Sequence, residues 1–335
     1  MERQRSNSWV ERRRSQLQVK GNKKYVVLCA DAMKPMVENL LVAYPDRFKY
    51  VITEYKKYND GTDDINILGF SPENEIAGEE ILFFASFHSN DVTLSQFSVL
   101  IVLLQSFIES LTIVLPFYPV ATNERVDLEG HVATANTYSM LLSNLPSVGK
   151  PTRIMLYDLH TLQNRFYFHS STVPSLHTAI PLLLARLKSE NITAIAFPDD
   201  GAAKRFGRIF KTAGFDEIIV CGKKRDGDKR IVTILDGDCR GKEVIIVDDL
   251  VQTGGTLYEC ASTLLKFGAL KVHCYVTHGV FPNACWKNFC KGGSKAIFQK
   301  FFLTDSYHIV NDLPRDDCFE ILNLIPQIVK DLDSY

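Results

Sequence analysis

From Lys24 onward, short apolar runs alternate with longer stretches whose apolar positions recur at helical spacing. Apolar runs bounded by polar turns read as strands buried on both faces, and their alternation with helical stretches marks a parallel sheet covered on both sides. The pattern predicts strands at Tyr25–Ala30, Lys49–Thr53, Ile65–Gly69, Ile81–Ala85 and Thr112–Pro116, with helices at Met33–Tyr44, Thr93–Phe107 and Gly130–Ser143. SNLPSVGKPT, Ser143–Thr152, then gathers Pro, Gly and Ser between two periodic regions, where a domain junction is expected. The alternation resumes with strands at Arg153–Tyr157, Thr193–Phe197, Glu217–Cys221, Glu243–Val247 and Lys271–Thr277. Helices are predicted between and after them at Leu176–Lys188, Ala202–Thr212, Thr256–Phe267, Pro282–Cys290 and Cys318–Leu332. The expectation is an α/β chain with a 1–20 tail, domains over 21–146 and 147–312, each a mostly parallel sheet flanked by helices, and a C-terminal helix in 313–335. No sequence repeat links the two halves.

The run VIIVDDLVQTGGT, Val244–Thr256, is where chemistry first interrupts this pattern. It ends a buried strand in two carboxylates and opens a helix with a flexible turn, the edge at which open α/β sheets bind ligands. Gly254 and Gly255 let the backbone approach a ligand closely, and Thr253 and Thr256 add hydroxyls to the amides of the helix N-terminus, a cradle suited to phosphate. Asp248 and Asp249 cannot face that phosphate comfortably. They suit a sugar diol, which offers two hydroxyl hydrogens, or a magnesium bridge. Phosphate beside a vicinal diol describes ribose 5-phosphate. The plain alternative is a strand-to-helix turn that two acids cap.

Three more segments carry reactive side chains. YDLHTLQNRFYF, Tyr157–Phe168, sets His160 just past an apolar strand, where it reads either as a ligand or as a satisfied surface histidine. FPDDGAAKRF, Phe197–Phe206, again puts carboxylates at a strand end, with Asp200 available as a helix cap. CGKKRDGDKR, Cys221–Arg230, clusters cations with glycines. Such a cluster is either a solvated turn or a loop suited to the negative charge that spreads over phosphates during their transfer.

Together these segments resemble the ribose-phosphate pyrophosphokinase, or phosphoribosyl diphosphate synthase, family from about Lys24 to the last helix. ERVDLEGHVATANTYSMLLSN, Glu124–Asn144, and YVTHGVFP, Tyr275–Pro282, make the chain most similar to the divergent branch found in plants. The resemblance implies two tandem phosphoribosyltransferase-like domains, the second carrying the sugar-phosphate loop. It implies an enzyme that transfers the pyrophosphoryl group of ATP to the anomeric hydroxyl of ribose 5-phosphate, uses Mg2+ and assembles as a homo-oligomer. Residue by residue, it assigns Asp248, Asp249, Thr253, Gly254, Gly255 and Thr256 to ribose 5-phosphate and His160 to the ATP phosphates and their metal. Asp199 goes to the metal, and Lys223 and Arg225 become the catalytic cations of the basic loop. YNDGTDD, Tyr58–Asp64, takes the place of the adenine-binding loop, with Tyr58 stacking on the base and Asp60 beginning the turn. The family's PYxPYxRQDR reads LPFYPVATNER here, Leu115–Arg125, so the usual ATP-contacting arginine and glutamine are missing and Arg125 or Asn123 is left to substitute. That departure keeps a non-catalytic regulatory homologue in view, and the sugar-phosphate loop by itself would equally suit a phosphoribosyltransferase.

Composition changes little in this picture. A formal net charge of -1 over 335 residues leaves no electrostatic footprint for nucleic acid. No apolar run reaches the ~20 residues that span a bilayer, so neither nucleic acid nor a membrane is expected as a partner. The eight cysteines lack CxxC spacing and fall mostly inside apolar runs, which points to reduced thiols and a cytoplasmic location. The opening MERQRSNSWVERRRSQLQVK has no apolar core for a secretory signal; its Arg and Ser suit a transit peptide, Glu2 and Glu11 do not, and a disordered basic tail is expected.

Overall fold

The apolar runs become the inner strands of two sheets, each in its own compact unit. The computed structural model describes residues 24–169, 171–226 and 229–334, with backbone only for 224–226 and 229–231; the expected 1–20 tail lies outside the described residues. One unit runs through His177 and takes up the chain again from Ile325, and the other is Thr178–Leu324.

In the first unit the chain lays down β1 (Tyr25–Cys29), β2 (Phe48–Tyr50), a separate antiparallel hairpin of β3 (Thr53–Lys57) and β4 (Asp63–Ile67), then β5 (Glu80–Phe84), β6 (Ser110–Leu115), β7 (Thr152–Tyr157) and β8 (Thr172–His177). Its main sheet has the order β2-β1-β5-β6-β7-β8, and every pairing in it is parallel. Helices α1 (Lys34–Ala43), α2 (Asn90–Leu104) and α3 (Thr134–Ser143) connect the strands. Because helices cover both faces, successive residues are buried: Val26, Val27, Leu28 and Cys29 are each no more than 3% exposed.

The second unit contains α4 (Ile180–Leu187), β9 (Ala194–Phe197), α5 (Asp200–Thr212), β10 (Ile218–Asp226), β11 (Lys229–Asp236), β12 (Glu243–Val251), α6 (Gly255–Lys266), β13 (Lys271–Gly279), β14 (Phe301–Thr304) and β15 (Phe319–Leu322). Its sheet has the order β11-β10-β9-β12-β13-β14-β15, parallel except for the β10/β11 pair. Alternate residues feed two cores. Ala194, Ala196, Val244 and Ile246 pack with Leu257, Cys260 and Leu264 of α6, while Ile195, Phe197, Ile245 and Val247 pack with Leu183 of α4 and Phe206 and Phe210 of α5.

Several expected boundaries move. The Ser143–Thr152 stretch is a loop within the first unit: Leu145 is buried in that unit's core, and β7 pairs directly with β6 from Thr112/Arg153 onward. The division falls at His177/Thr178 instead of 146/147, and the helix expected from Leu176 begins at Ile180 because Leu176 and His177 finish β8. Cys318–Leu332 splits into β15 and helix α7 (Ile325–Asp333), which belongs to the first unit. Pro282–Cys290 forms a kinked 3-10 stretch over Pro282–Asn288, because Asn283 and Ala284 take left-handed φ values of 55° and 54°.

Candidate active site

In the second unit the chain leaves central strand β9 for β10 on one side and later returns to β12 on the other, which makes the carboxyl ends of β9 and β12 a topological switch point. The carboxylates stand there. Asp249 is buried and Asp248 half-buried near the end of β12. The Asp249 amide donates to Asp248 Oδ1 at 2.9 Å, and the Leu250 amide to Asp249 Oδ1 at 2.9 Å. Arg205 of α5 reaches Asp249 Oδ2 at 3.3 Å, placing one cation against the pair. Burial pushes the Asp248 carboxyl well above the usual carboxylate range, and the charges of Asp249 and Asp199 add to the effect. Three carboxylates share one field beside Arg205, an arrangement that can take a cation or donated hydroxyl hydrogens.

Gly254 turns the chain from β12 into α6 at a left-handed φ of 68°, and a Cβ there would lie 2.2 Å from Phe289 Cζ. Both conditions demand glycine. Gly255 begins α6, so the amides from Thr253 to Thr256 form the open N-terminal end of a helix of 12 residues. Asp199 is the N-cap of α5, its Oδ1 accepting from the Ala202 amide at 2.9 Å. The capping role considered for Asp200 therefore falls to Asp199, while Asp200 faces solvent and pairs with Lys204. Of the Cys221–Arg230 segment, read as a solvated turn or a basic loop, Cys221–Asp226 lies in β10 and Lys229 and Arg230 in β11, with Lys223 opposite Val232 and the Arg225 backbone opposite that of Arg230. Lys223 is exposed; the Arg225 side chain lies outside the described residues.

The other assigned residues belong to the first unit. Tyr58 and Asp60 occupy the tip of the β3/β4 hairpin, where Asp60 accepts from the Thr62 amide at 2.9 Å and from its hydroxyl at 2.6 Å. Those two bonds hold the Asp60 carboxyl below its usual range, and the Tyr58 ring, 58% exposed, is free of the core. Arg125 is exposed on the loop after β6, with Nε 3.3 Å from Glu124 Oε1, and His160 is exposed on the loop after β7. Thr161 donates to the same Glu124 Oε1 at 3.0 Å and Tyr167 to the Glu124 carbonyl at 2.9 Å, so Arg125 and His160 stand on loops tied to each other. Two residues before His160, Asp158 is buried at a left-handed φ of 38°, a backbone strain typical of functional turns.

Sequence reasoning missed Arg205, Phe289, Cys285 and Lys295. Arg205 stands inside FPDDGAAKRF, but six positions after Asp199 a helix has turned about 600°, so periodicity does not put the two on one face and gave no signal for it. The other three reach the loop from more than 30 positions along the chain and leave no local signal.

Residues 177–301 match the phosphoribosyl transferase domain family. Over 323 residues the chain is 42% identical to "Ribose-phosphate pyrophosphokinase 3, chloroplastic" of Oryza sativa subsp. japonica, an alignment covering 94% of this chain and 77% of that protein. The chain belongs to the ribose-phosphate pyrophosphokinase family. A further pyrophosphokinase, "Ribose-phosphate pyrophosphokinase 3, mitochondrial" of Spinacia oleracea, is 40% identical over 319 residues, 92% of this chain and 77% of the relative. The fold agrees: phosphoribosylpyrophosphate synthetase from Mycobacterium smegmatis superposes with a TM-score of 0.77 at 19% identity, covering 93% of this chain and 98% of that one. The pyrophosphokinase relatives also correct the cytoplasmic expectation. They carry chloroplastic and mitochondrial names, which points to an organelle. Scattered free thiols speak for a reducing surrounding and do not say which compartment supplies it.

Proposed function

We propose that this protein transfers the pyrophosphoryl group of ATP to the anomeric hydroxyl of ribose 5-phosphate, giving 5-phosphoribosyl 1-diphosphate and AMP. The observation that carries the reading is the pairing, at one switch point, of the Asp248–Asp249 carboxylates with a glycine turn that opens the α6 N-terminus. Amides there suit the 5-phosphate, and the carboxylates suit the ribose hydroxyls. In the reaction the anomeric oxygen attacks the β-phosphorus in line, the bond from that phosphorus to the α,β-bridging oxygen breaks, AMP departs and the hydroxyl proton is released. No covalent enzyme intermediate is needed, so these residues act by positioning and by neutralising charge. Lys223 and Arg225 are assigned to the transferring phosphates, and Tyr58, Asp60, Arg125 and His160 to ATP.

Mg2+ fits this donor set. Among the described residues no three His, Cys, Asp or Glu side chains converge on a metal position by themselves. That suits an ion that takes one or two carboxylates and completes its octahedron with water and substrate phosphates, and Asp199 with the Asp248–Asp249 pair offers hard oxygen ligands. Bound there, Mg2+ would supply countercharge to the phosphates. The homo-oligomer is part of the same proposal, checked by the mass of the protein in solution.

The test is AMP release from ATP and Mg2+, with and without ribose 5-phosphate, for the protein and its Asp249→Ala variant. Sugar-dependent AMP that drops by at least about a hundredfold in the variant is expected. AMP formed at equal rates without the sugar, or unaltered by the substitution, sinks the assignment.

A further inference from the structure

The turn at 252–254 is held from outside by a single stretch of chain. Cys285 Sγ donates to the Gln252 carbonyl at 3.2 Å, Lys295 Nζ donates to the Thr253 carbonyl at 2.6 Å, and the Phe289 ring fills the space where Gly254 lacks a Cβ. Lys295 Nζ also lies 5.6 Å from the centre of the Phe289 ring, so the two holding residues support each other. Three consecutive loop residues thus each meet one residue of 285–295.

A trans peptide plane puts its C=O and N–H on opposite sides. Holding the carbonyls of Gln252 and Thr253 toward Cys285 and Lys295 therefore aims the N–H groups of Thr253 and Gly254 the other way. Among the described residues neither of those amides donates to a backbone acceptor. They remain available to an anion. Burial raises the Cys285 thiol above its ordinary range, which keeps it protonated and able to donate. The brace is itself built under strain: Phe281, Asn283 and Ala284 all have left-handed φ, at 42°, 55° and 54°, just before Cys285. Non-glycine residues adopt that conformation in succession only where their surroundings impose it.

We propose that Lys295 is a positioning residue for the sugar-phosphate site, which with Cys285 and Phe289 presets two amides of the 252–254 turn as a cradle for the 5-phosphate. The inference rests on reading this turn as the phosphate cradle. A preset cradle binds phosphate before and during the reaction alike, since the 5-phosphate is remote from the bond being made.

The experiment uses the full chain and its Lys295→Met, Lys295→Arg and Cys285→Ala variants. Methionine keeps an unbranched stem over Phe289 and removes the charged head, with its hydrogen bond to Thr253 and its cation–π contact. Lys295→Met is expected to raise KM for ribose 5-phosphate about tenfold with kcat within about twofold, and Lys295→Arg to restore most of the loss. Cys285→Ala, which frees the neighbouring peptide plane, shifts the same KM in the same direction and decides the matter if Lys295→Met does not fold. A wild-type KM in the folded variants overturns the brace and leaves the cradle standing. Calorimetry with ribose 5-phosphate alone separates the two: no binding by the unaltered protein overturns the cradle itself and the brace with it.

Discussion

At the scale of single residues, burial decides which carboxylates are unusual. Asp305, just past β14, accepts from the Leu324 amide at 2.8 Å, yet burial pushes its carboxyl from 3.8 up to about 6. The folded chain therefore binds this proton more tightly than the unfolded chain between those two values. Its ionisation costs stability progressively as pH rises through that window, and the cost is complete above the folded pKa. Asp305→Asn keeps an acceptor for Leu324 and cannot ionise, so the variant should be more stable than the parent at pH 8, by about 2 kcal/mol, with the advantage fading toward pH 4. Melting curves of both across that range check this; parallel curves would show that Asp305 is not held out of water. Nothing in the sequence marks Asp305, because its desolvation comes from distant packing. Asp248, Asp249 and the TGGT turn were legible because strand end, acids and glycines are contiguous in the chain.

Among elements, legibility followed the hydrophobic runs. The inner strands β1, β5, β6, β7, β9, β12 and β13 announce themselves as apolar runs because helices cover them on both sides. Strand β8 hid behind Pro174, which a sheet tolerates on an edge, and β8 is the edge of the first sheet. The β15–α7 boundary hid inside a stretch with helical spacing, although Pro326, at the second position of α7, marks where a helix starts. Helix α7 is held in the first unit by Asp331. Its Oδ2 accepts from Tyr157 at 2.9 Å and lies 3.4 Å from His177 Nδ1, Oδ1 accepts from Gln327 at 2.9 Å, and its carbonyl accepts from Arg153 at 3.2 Å. Asp331→Ala strands several buried donors at once and should cost about 2–4 kcal/mol, read as an earlier denaturation midpoint. A loss under about 0.5 kcal/mol would mean that α7 is held by its apolar face, Ile325, Ile328, Val329 and Leu332, without the polar network.

Across the whole molecule, the two sheets share one topology that the sequence conceals. Setting aside the terminal β11, the orders β2-β1-β5-β6-β7-β8 and β10-β9-β12-β13-β14-β15 correspond strand for strand, so the turn after β5 is the counterpart of the turn after β12 that we propose holds the sugar phosphate. The two turns have diverged in kind. Where β12 leads into TGG, β5 leads through Ala85 to Ser89 with no glycine, and Phe87 stacks on Phe97 at 5.7 Å. The first turn of α2 already has a cap and a negative charge of its own. The Ser89 hydroxyl accepts from the Val92 amide at 3.3 Å, and Asp91 supplies the negative charge that a phosphate would bring, paired with Lys57 at 3.0 Å. A second phosphate there would meet the Asp91 carboxylate. One ribose 5-phosphate should therefore bind per chain, with Asp249→Ala removing all of it, as titration calorimetry of the unaltered and substituted proteins would show. A stoichiometry of two, or binding that survives Asp249→Ala, would mean that the first framework kept its cradle despite the carboxylate beside it, and that two like sheets hold two like sites.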